Sequence, residues 1–274
     1  MKILHSRAIE GESFLVEHRI IESPASDAFV PRIHEAWELF FFLKGEVSYR
    51  VEGKSYVLKS GDLVLSRPST FHHPEPTAEA MYEAYSLLID DSMIPDGIRR
   101  SIPEGVEVFS FGDGGRMADL FEKTELYSDV FSGEELLNLV KCIVTEIIYN
   151  LAIKDSFAVH RATENPLIER ALGYIDENLT RIRGIDEICE KLYITKSHLH
   201  HLFIKNLGVT PKRYINSKRL LMAQGLMRAG VSATEAAQRV GFEDYATFFR
   251  NYKKHFGYSP SEKPEKPRLM PTDS

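Results

Sequence analysis

The feature that most constrains this chain is an internal repeat. LHHLFIKNLGVTP, Leu199 to Pro211, aligns without gaps on FFRNYKKHFGYSP, Phe248 to Pro260, at an offset of 49 residues. Leu199, Phe203, Leu207, Gly208 and Pro211 fall on Phe248, Tyr252, Phe256, Gly257 and Pro260. Upstream, IDEICEKL (Ile185 to Leu192) matches ATEAAQRV (Ala233 to Val240) once one residue is inserted in the turn. Each copy reads as a short helix, a tight turn, a longer basic helix and a glycine stop. That is the plan of a helix-turn-helix, whose second helix enters the major groove of DNA. Between the copies, PKRYINSKRLLMAQGLMRAG predicts a helix from Pro211 to about Arg228, some 27 Å long at about 1.5 Å per residue. A rod of that length can hold two recognition helices near the roughly 34 Å repeat of B-DNA.

The charge distribution points the same way. From Pro166 onward the chain has 18 Lys and Arg against 12 Asp and Glu, whereas the preceding part has 16 against 28. Within Lys191 to Phe256 the count is 12 against 3, so the second half is the one suited to a polyanion. In the first copy, Leu199, Leu202 and Phe203 form the apolar stripe. Lys196, Ser197, His200 and His201 lie off it near the helix N-terminus, where groove contacts are made, and Lys205 suits a phosphate. The offset carries these positions to Tyr245, Ala246, Phe249 and Arg250. Arg250 is the candidate for base reading, because a guanidinium fork bonds guanine O6 and N7, with a phosphate contact as the alternative. Lys253 and Lys254 suit phosphates. Phe242, Phe248, Tyr252, Phe256 and Tyr258 read as packing, whereas Tyr245 and Phe249 stand where the first copy is polar and are expected to face DNA. The histidines at 198, 200 and 201 lack the i,i+4 pair of a helical zinc site.

The N-terminal half has a different period. From about Ser13 to Leu88, β-rich runs are broken by Lys44-Gly45, Glu52-Gly53 and Ser60-Gly61-Asp62, which predicts an antiparallel barrel or sandwich. After Asp113-Gly114-Gly115 the period becomes helical, and Leu136, Val140, Ile143, Ile147 and Leu151 mark an apolar band wider than one face needs. That band fits either packing on the barrel or a helix pair shared in a dimer. No apolar run approaches the roughly 18 residues of a membrane helix, and MKILHSRAIEGESF has no signal-peptide apolar region. Cys142 and Cys189 sit in apolar helical patterns without metal spacing and are expected to be reduced, buried thiols of a cytoplasmic protein.

The segment from about Pro166 to Pro260 resembles the DNA-binding domain of AraC/XylS-type transcription regulators, through RLLMAQGLM, AAQRVGF and FFRNYKKHFGYSP. It departs from them after Ser-Pro, where a Tyr-Arg pair is common in the family and this chain runs into SEKPEKPRLMP. The N-terminal half resembles the cupin-like sensor barrel that such regulators often carry, through His34-x-x-Trp37-Glu38-Leu39, Gly45, Gly61-Asp62, Pro68 and His72-His73. The expected fold is α+β. A cupin-like β-barrel with C-terminal helices spans 1–153 (barrel about 13–90, helices about 115–153), and 154–165 is a linker. An all-α double helix-turn-helix DNA-binding domain follows at 166–262, with a disordered tail at 263–274.

The resemblance implies a regulator, dimeric and non-catalytic, that binds a double-stranded DNA operator and a small-molecule effector, with carbohydrates the first effectors to test. It leaves room for RNA polymerase as a partner and calls for no membrane and no cofactor. Candidate effector residues are Arg32, His34, Trp37, Glu38, Tyr49, His72 and His73. Metal-binding cupins use His-x-His-x-x-x-Glu with a later histidine, and here Arg32 stands in place of the first histidine. A donor is lost and a permanent cation gained, which argues against a metal. A metal-dependent cupin enzyme is one rival reading. The other is a regulator controlled by dimerisation or a protein partner, with His34 and Glu38 merely structural.

Overall fold

The computed structural model describes residues 2–25, 29–102, 105–112, 115–153 and 162–262. Most of the linker and all of the tail expected from the sequence lie outside the described residues. The chain divides into two compact units, one of strands followed by helices and one wholly helical.

The first unit contains β1 (Ile3–Glu10), β2 (Phe14–Ile21), β3 (Trp37–Lys44), β4 (Val47–Val51), β5 (Lys54–Val57), β6 (Asp62–Ser66), β7 (His72–Pro76), β8 (Tyr82–Ile89) and β9 (Val108–Ser110). Helix α1 (Asp96–Ser101) precedes β9, and α2 (Gly115–Val130) and α3 (Gly133–Asn150) follow it. The strands form two antiparallel sheets, ordered β1-β2-β8-β3-β6-β9 and β5-β4-β7. Strands β1 and β9 lie outside the span 13–90 that the sequence gives to the barrel. The first is an edge strand with an exposed burial pattern and the second has three residues, so neither carries a strong alternation.

Both faces of the larger sheet are covered, which explains why WELFFFLK reads as a continuous apolar run. One face contributes Trp37, Leu39, Phe41, Tyr85 and Leu87 to a core shared with Phe121 of α2 and with Val140, Val144 and Ile147 of α3. Phe121 stacks on both Phe41 and Tyr85. The other face brings Phe40, Phe42, Val64 and Tyr82 into a second core with Tyr49, Val51 and Tyr56 of the smaller sheet. The apolar band of α3 therefore packs on the barrel. Cys142 is exposed, contrary to the expectation of a buried thiol, because it lies on the outer side of α3; Cys189 is buried.

The second unit consists of α4 (Pro166–Asn178), α5 (Ile185–Leu192), α6 (Lys196–Leu207), α7 (Pro211–Arg228), α8 (Ala233–Arg239) and α9 (Tyr245–Phe256). Helices α6 and α9 start and stop at the 49-residue offset, and both end on a left-handed glycine, Gly208 and Gly257. Their N-caps are Thr195 and Asp244, whose side chains accept from the backbone N–H groups of His198 and Thr247. Leu199, Leu202, Phe203 and Leu207 are buried in the first copy, and Phe248, Tyr252 and Phe256 in the second. Arg219 of α7, 7% exposed, joins the copies. Its Nε and Nη2 donate to the carbonyls of Leu179 and Ile182, ahead of α5, and its Nη1 donates to that of Gly241 in the α8–α9 turn.

Candidate effector pocket and DNA-binding face

Side chains alternate along a strand, so neighbours on β3 face opposite layers. Glu38 points between the two sheets and has no solvent exposure. Its Oε1 accepts from Arg32 Nη2 at 3.1 Å and Ser86 Oγ at 2.8 Å. Its Oε2 lies 3.2 Å from His34 Nε2 and 2.8 Å from His72 Nε2. Burial alone would raise the Glu38 carboxyl; the Arg32 charge, His72 and His34 overcome it and hold the group well below its ordinary value. Burial in turn lowers His34. Tyr49 lies within this layer, its ring parallel to that of His72. Burial, aided by the Glu38 charge, pushes its hydroxyl well above the ordinary value. Among the described residues the buried Tyr49 and Ser66 hydroxyls complete no hydrogen bond of good geometry.

His34, Glu38 and His72 bring donor atoms within 4.8 Å of one another, the raw material of a metal site. The remaining ring nitrogens, Nδ1 of His34 and of His72, face the carbonyls of Ala36 and Thr70. A neutral ring satisfies only one of its two acceptors at a time. Arg32 and Ser86 balance the carboxylate whichever acceptor each ring chooses. The guanidinium thus supplies the positive charge that a metal would bring, and the donor set suits Arg32 better than an added cation.

Beside this cluster is a cavity of about 290 Å³, counting the part open to solvent, lined by Glu17, Arg19, Phe29, Arg32, Phe40, Tyr82 and Ser86 among others. Its enclosed part is only about 20 Å³, room for about one water, so an effector must widen it or bind across its mouth. Arg32 links the cavity to the Glu38 cluster, so the structure brings Arg32, His34, Glu38, Tyr49 and His72 together. It does not bring Trp37 or His73 there. Trp37 lies on the helix-covered face, where its Nε1 donates to Asp91 Oδ1 at 2.8 Å and Arg99 sits over its ring. His73 alternates away from His72 and pairs in register with Arg50. Burial, with Arg50 next, lowers His73 from 6.5 to about 3. The sequence reading missed Glu17 and Arg19, which occupy alternate positions of β2 and form an ion pair at 3.6 Å. The run Glu17-His18-Arg19 inside a strand whose other residues are apolar was the available signal.

The helical unit presents its bases outward. Lys196, Ser197, His200, His201 and Lys205 of α6 are exposed, as are Tyr245, Ala246, Arg250, Lys253 and Lys254 of α9. Phe249 is half-buried, with the Tyr245 ring against it. Lys196 Nζ is 2.7 Å from Asp186 in an exposed pair, and such pairs contribute little. Arg250 Nη2 donates to Thr247 Oγ1 of its own helix, at 3.1 Å.

Residues 14–127 match the model of the AraC-like ligand binding domain, and residues 188–264 match that of a helix-turn-helix domain. The chain belongs to the AraC/XylS-type transcription regulators. The regulator is 25% identical to the lactose operon transcription activator of Staphylococcus xylosus, over 82% of each chain. It is also 25% identical to the XylDLEGF operon transcriptional activator of Pseudomonas putida, over 85% of this chain and 75% of that one. Among solved structures it is similar to ToxT of Vibrio cholerae, at 18% identity and a TM-score of 0.40, over 92% of this chain and 96% of that one. Among the described residues no helix is long and apolar enough to cross a membrane.

Proposed function

We propose that this AraC/XylS-type regulator binds a small polar effector in the cavity between its two sheets and, in response, changes how its two recognition helices are presented to operator DNA. The pairing of Arg19 and Arg32 with Glu17 and Ser86 at one small cavity carries the reading. Such a lining holds a carboxylate through the guanidinium forks, or sugar hydroxyls through alternating donors and acceptors. The name of the staphylococcal relative favours carbohydrates as the first compounds to test. The protein acts in the cytoplasm, without catalysis or cofactor. It acts as a homodimer, consistent with the apolar Leu126 and Val130 left exposed one turn apart on α2. RNA polymerase is a further partner in activation.

The effector test uses Trp37, the single tryptophan, whose fluorescence follows the unfolding of the N-terminal unit. A sugar or small carboxylate that occupies the cavity raises that midpoint in the intact protein, and the rise is lost in Arg32→Met. The same compound must change affinity for a duplex recovered by binding-site selection, since coupling needs the effector to favour one arrangement. A compound that binds and leaves DNA affinity unchanged defeats the mechanism.

On the DNA side, Arg250 reads bases through its fork, Phe249 and Tyr245 meet a thymine methyl or a sugar, and Lys196, Lys205, Lys253 and Lys254 serve phosphates. Ser197, His200, His201 and Ala246 complete the groove-facing set. Arg250→Ala is expected to cost about 1–3 kcal/mol at one or two base pairs of the selected site. An equal loss over all sequences would make it a phosphate contact. Phe249→Ala should weaken specific binding and leave the melting temperature nearly unchanged.

A further inference from the structure

A second cluster lies outside the effector cavity, on the helix-covered side of the larger sheet. His5 of β1, His18 of β2 and Glu125 of α2 bring one ligand atom each within 4.8 Å of one another. His5 Nε2 is 3.0 Å and His18 Nδ1 2.9 Å from the same oxygen, Glu125 Oε1. The far nitrogen of His18, Nε2, lies 3.3 Å from Glu83 Oε1. Both nitrogens of this buried ring therefore face carboxylate oxygens. If Nε2 carries the proton and donates to Glu83, a lone pair on Nδ1 points at Glu125 Oε1. Two electron-rich atoms at that distance repel unless a cation stands between them. The Glu83–His18 bond has the form of the outer carboxylate that fixes the tautomer of a metal-bound histidine.

The local charge balance agrees. Two carboxylates, Glu83 and Glu125, face His18, and the guanidinium that reaches this end of α2 is Arg7, which donates to the Glu125 carbonyl. Arg7 is itself committed to Asp129 at 2.7 Å and to Ser128. This differs from the Glu38 cluster, where a guanidinium already occupies one carboxylate oxygen. Here the anions are in surplus.

We propose that His5, His18 and Glu125 bind a divalent transition-metal ion, with zinc the ion their two-imidazole, one-carboxylate set suits, and so fasten edge strand β1 to helix α2. Tetrahedral zinc, with bonds of about 2.0–2.1 Å, holds its ligand atoms about 3.3 Å apart. The spacings of 3.0 and 2.9 Å need to open by only a few tenths of an ångström. His5 is one-third exposed at its side chain, which leaves a route for the ion and a place for water as fourth ligand.

The test is zinc binding by the intact, chelator-treated protein, with metal content measured after equilibrium dialysis and unfolding followed by Trp37 fluorescence. Wild type is expected to take one zinc per chain and to gain thermal stability. His5→Ala, at a partly exposed position, and Glu125→Gln are expected to lose both effects, whereas His198→Ala, exposed on α6, keeps both. Zinc bound equally by wild type and His5→Ala would mean other histidines hold it, among them His198, His200 and His201, and overturns the site. No zinc bound by wild type also overturns it, and leaves His18 hydrogen-bonded between Glu83 and Glu125.

Discussion

Replacing Glu38 with glutamine is expected to lower the stability of the N-terminal unit by about 3–5 kcal/mol at neutral pH, the usual cost of removing one partner from a buried charge pair. The carboxylate is fully buried and accepts from Arg32 and Ser86 on one oxygen while facing two histidines on the other. Glutamine keeps the shape and one acceptor oxygen but leaves the guanidinium without a counter-charge. It also turns an N–H₂ toward groups that already donate. Trp37 lies on the opposite face of the same strand, so its fluorescence follows this unit alone.

The pH dependence checks the same point independently. The Glu38 carboxyl is held below its ordinary 4.5, so its stabilisation is complete above that pH and is lost as pH falls through the folded value. His34, lowered from 6.5 by burial, and His73, lowered to about 3, lose their contributions as pH falls below 6.5, because the unfolded chain binds those protons first. All three make the wild-type unit acid-labile. Glu38→Gln should show a flatter profile below pH 4.5 while keeping the histidine-driven loss above it. A variant as stable as wild type at pH 7, with an unchanged acid limb, would mean that the cluster does not hold the two sheets.

The helical unit was legible because its signals are local and repeated. Each long helix has its cap, its apolar stripe and its glycine stop within a dozen residues, and the second copy resolves what one copy leaves open. A helical wheel of the second copy alone would set Tyr245 and Phe249 with the core. Aligned on the first copy they leave it; in the structure Tyr245 is 40% exposed and Phe248 0%, while Phe249 is half-buried. The barrel was legible as a class but not as a site. Trp37 next to Glu38, and His73 next to His72, were grouped by proximity in sequence. Adjacent strand residues face opposite layers, so only one of each pair can reach the cavity. Glu17 and Arg19 meet Ser86 and Tyr82 only through the pairing of β2 with β8, and no sequence spacing encodes that. His5, His18 and Glu125 are joined by an edge strand and a helix more than a hundred residues later, which no motif links.

Arg219 gives the second large effect, in the other unit. Arg219→Met is expected to lower the unfolding midpoint of the helical unit by the equivalent of about 3 kcal/mol, read from the tryptophan-silent transition in calorimetry. Three carbonyls lose a charged donor, at about 1–3 kcal/mol for each buried acceptor left unsatisfied, and relief of the buried charge offsets part of that. Burial already lowers the Arg219 guanidinium below its ordinary value, so the charge is tolerated rather than favoured by its surroundings. Arg219→Lys should recover little, because a point charge cannot fork to Leu179, Ile182 and Gly241 together. The partner Gly241 is equally constrained. Its φ of +90° lies in the region that favours glycine, and an added Cβ would stand 2.4 Å from the Thr180 carbonyl oxygen and 3.1 Å from the Arg219 guanidinium. Gly241→Ala must therefore push the α8–α9 turn off the arginine. The two substitutions break one junction, so the double variant should lose less stability than the sum of the single ones. Because that junction ties both helix-turn-helix copies to α7, either variant should also weaken binding to a two-groove operator more than to one half-site. Additive losses, with the ratio of whole-site to half-site binding unchanged, would mean that Arg219 packs each copy separately and does not set the spacing of α6 and α9.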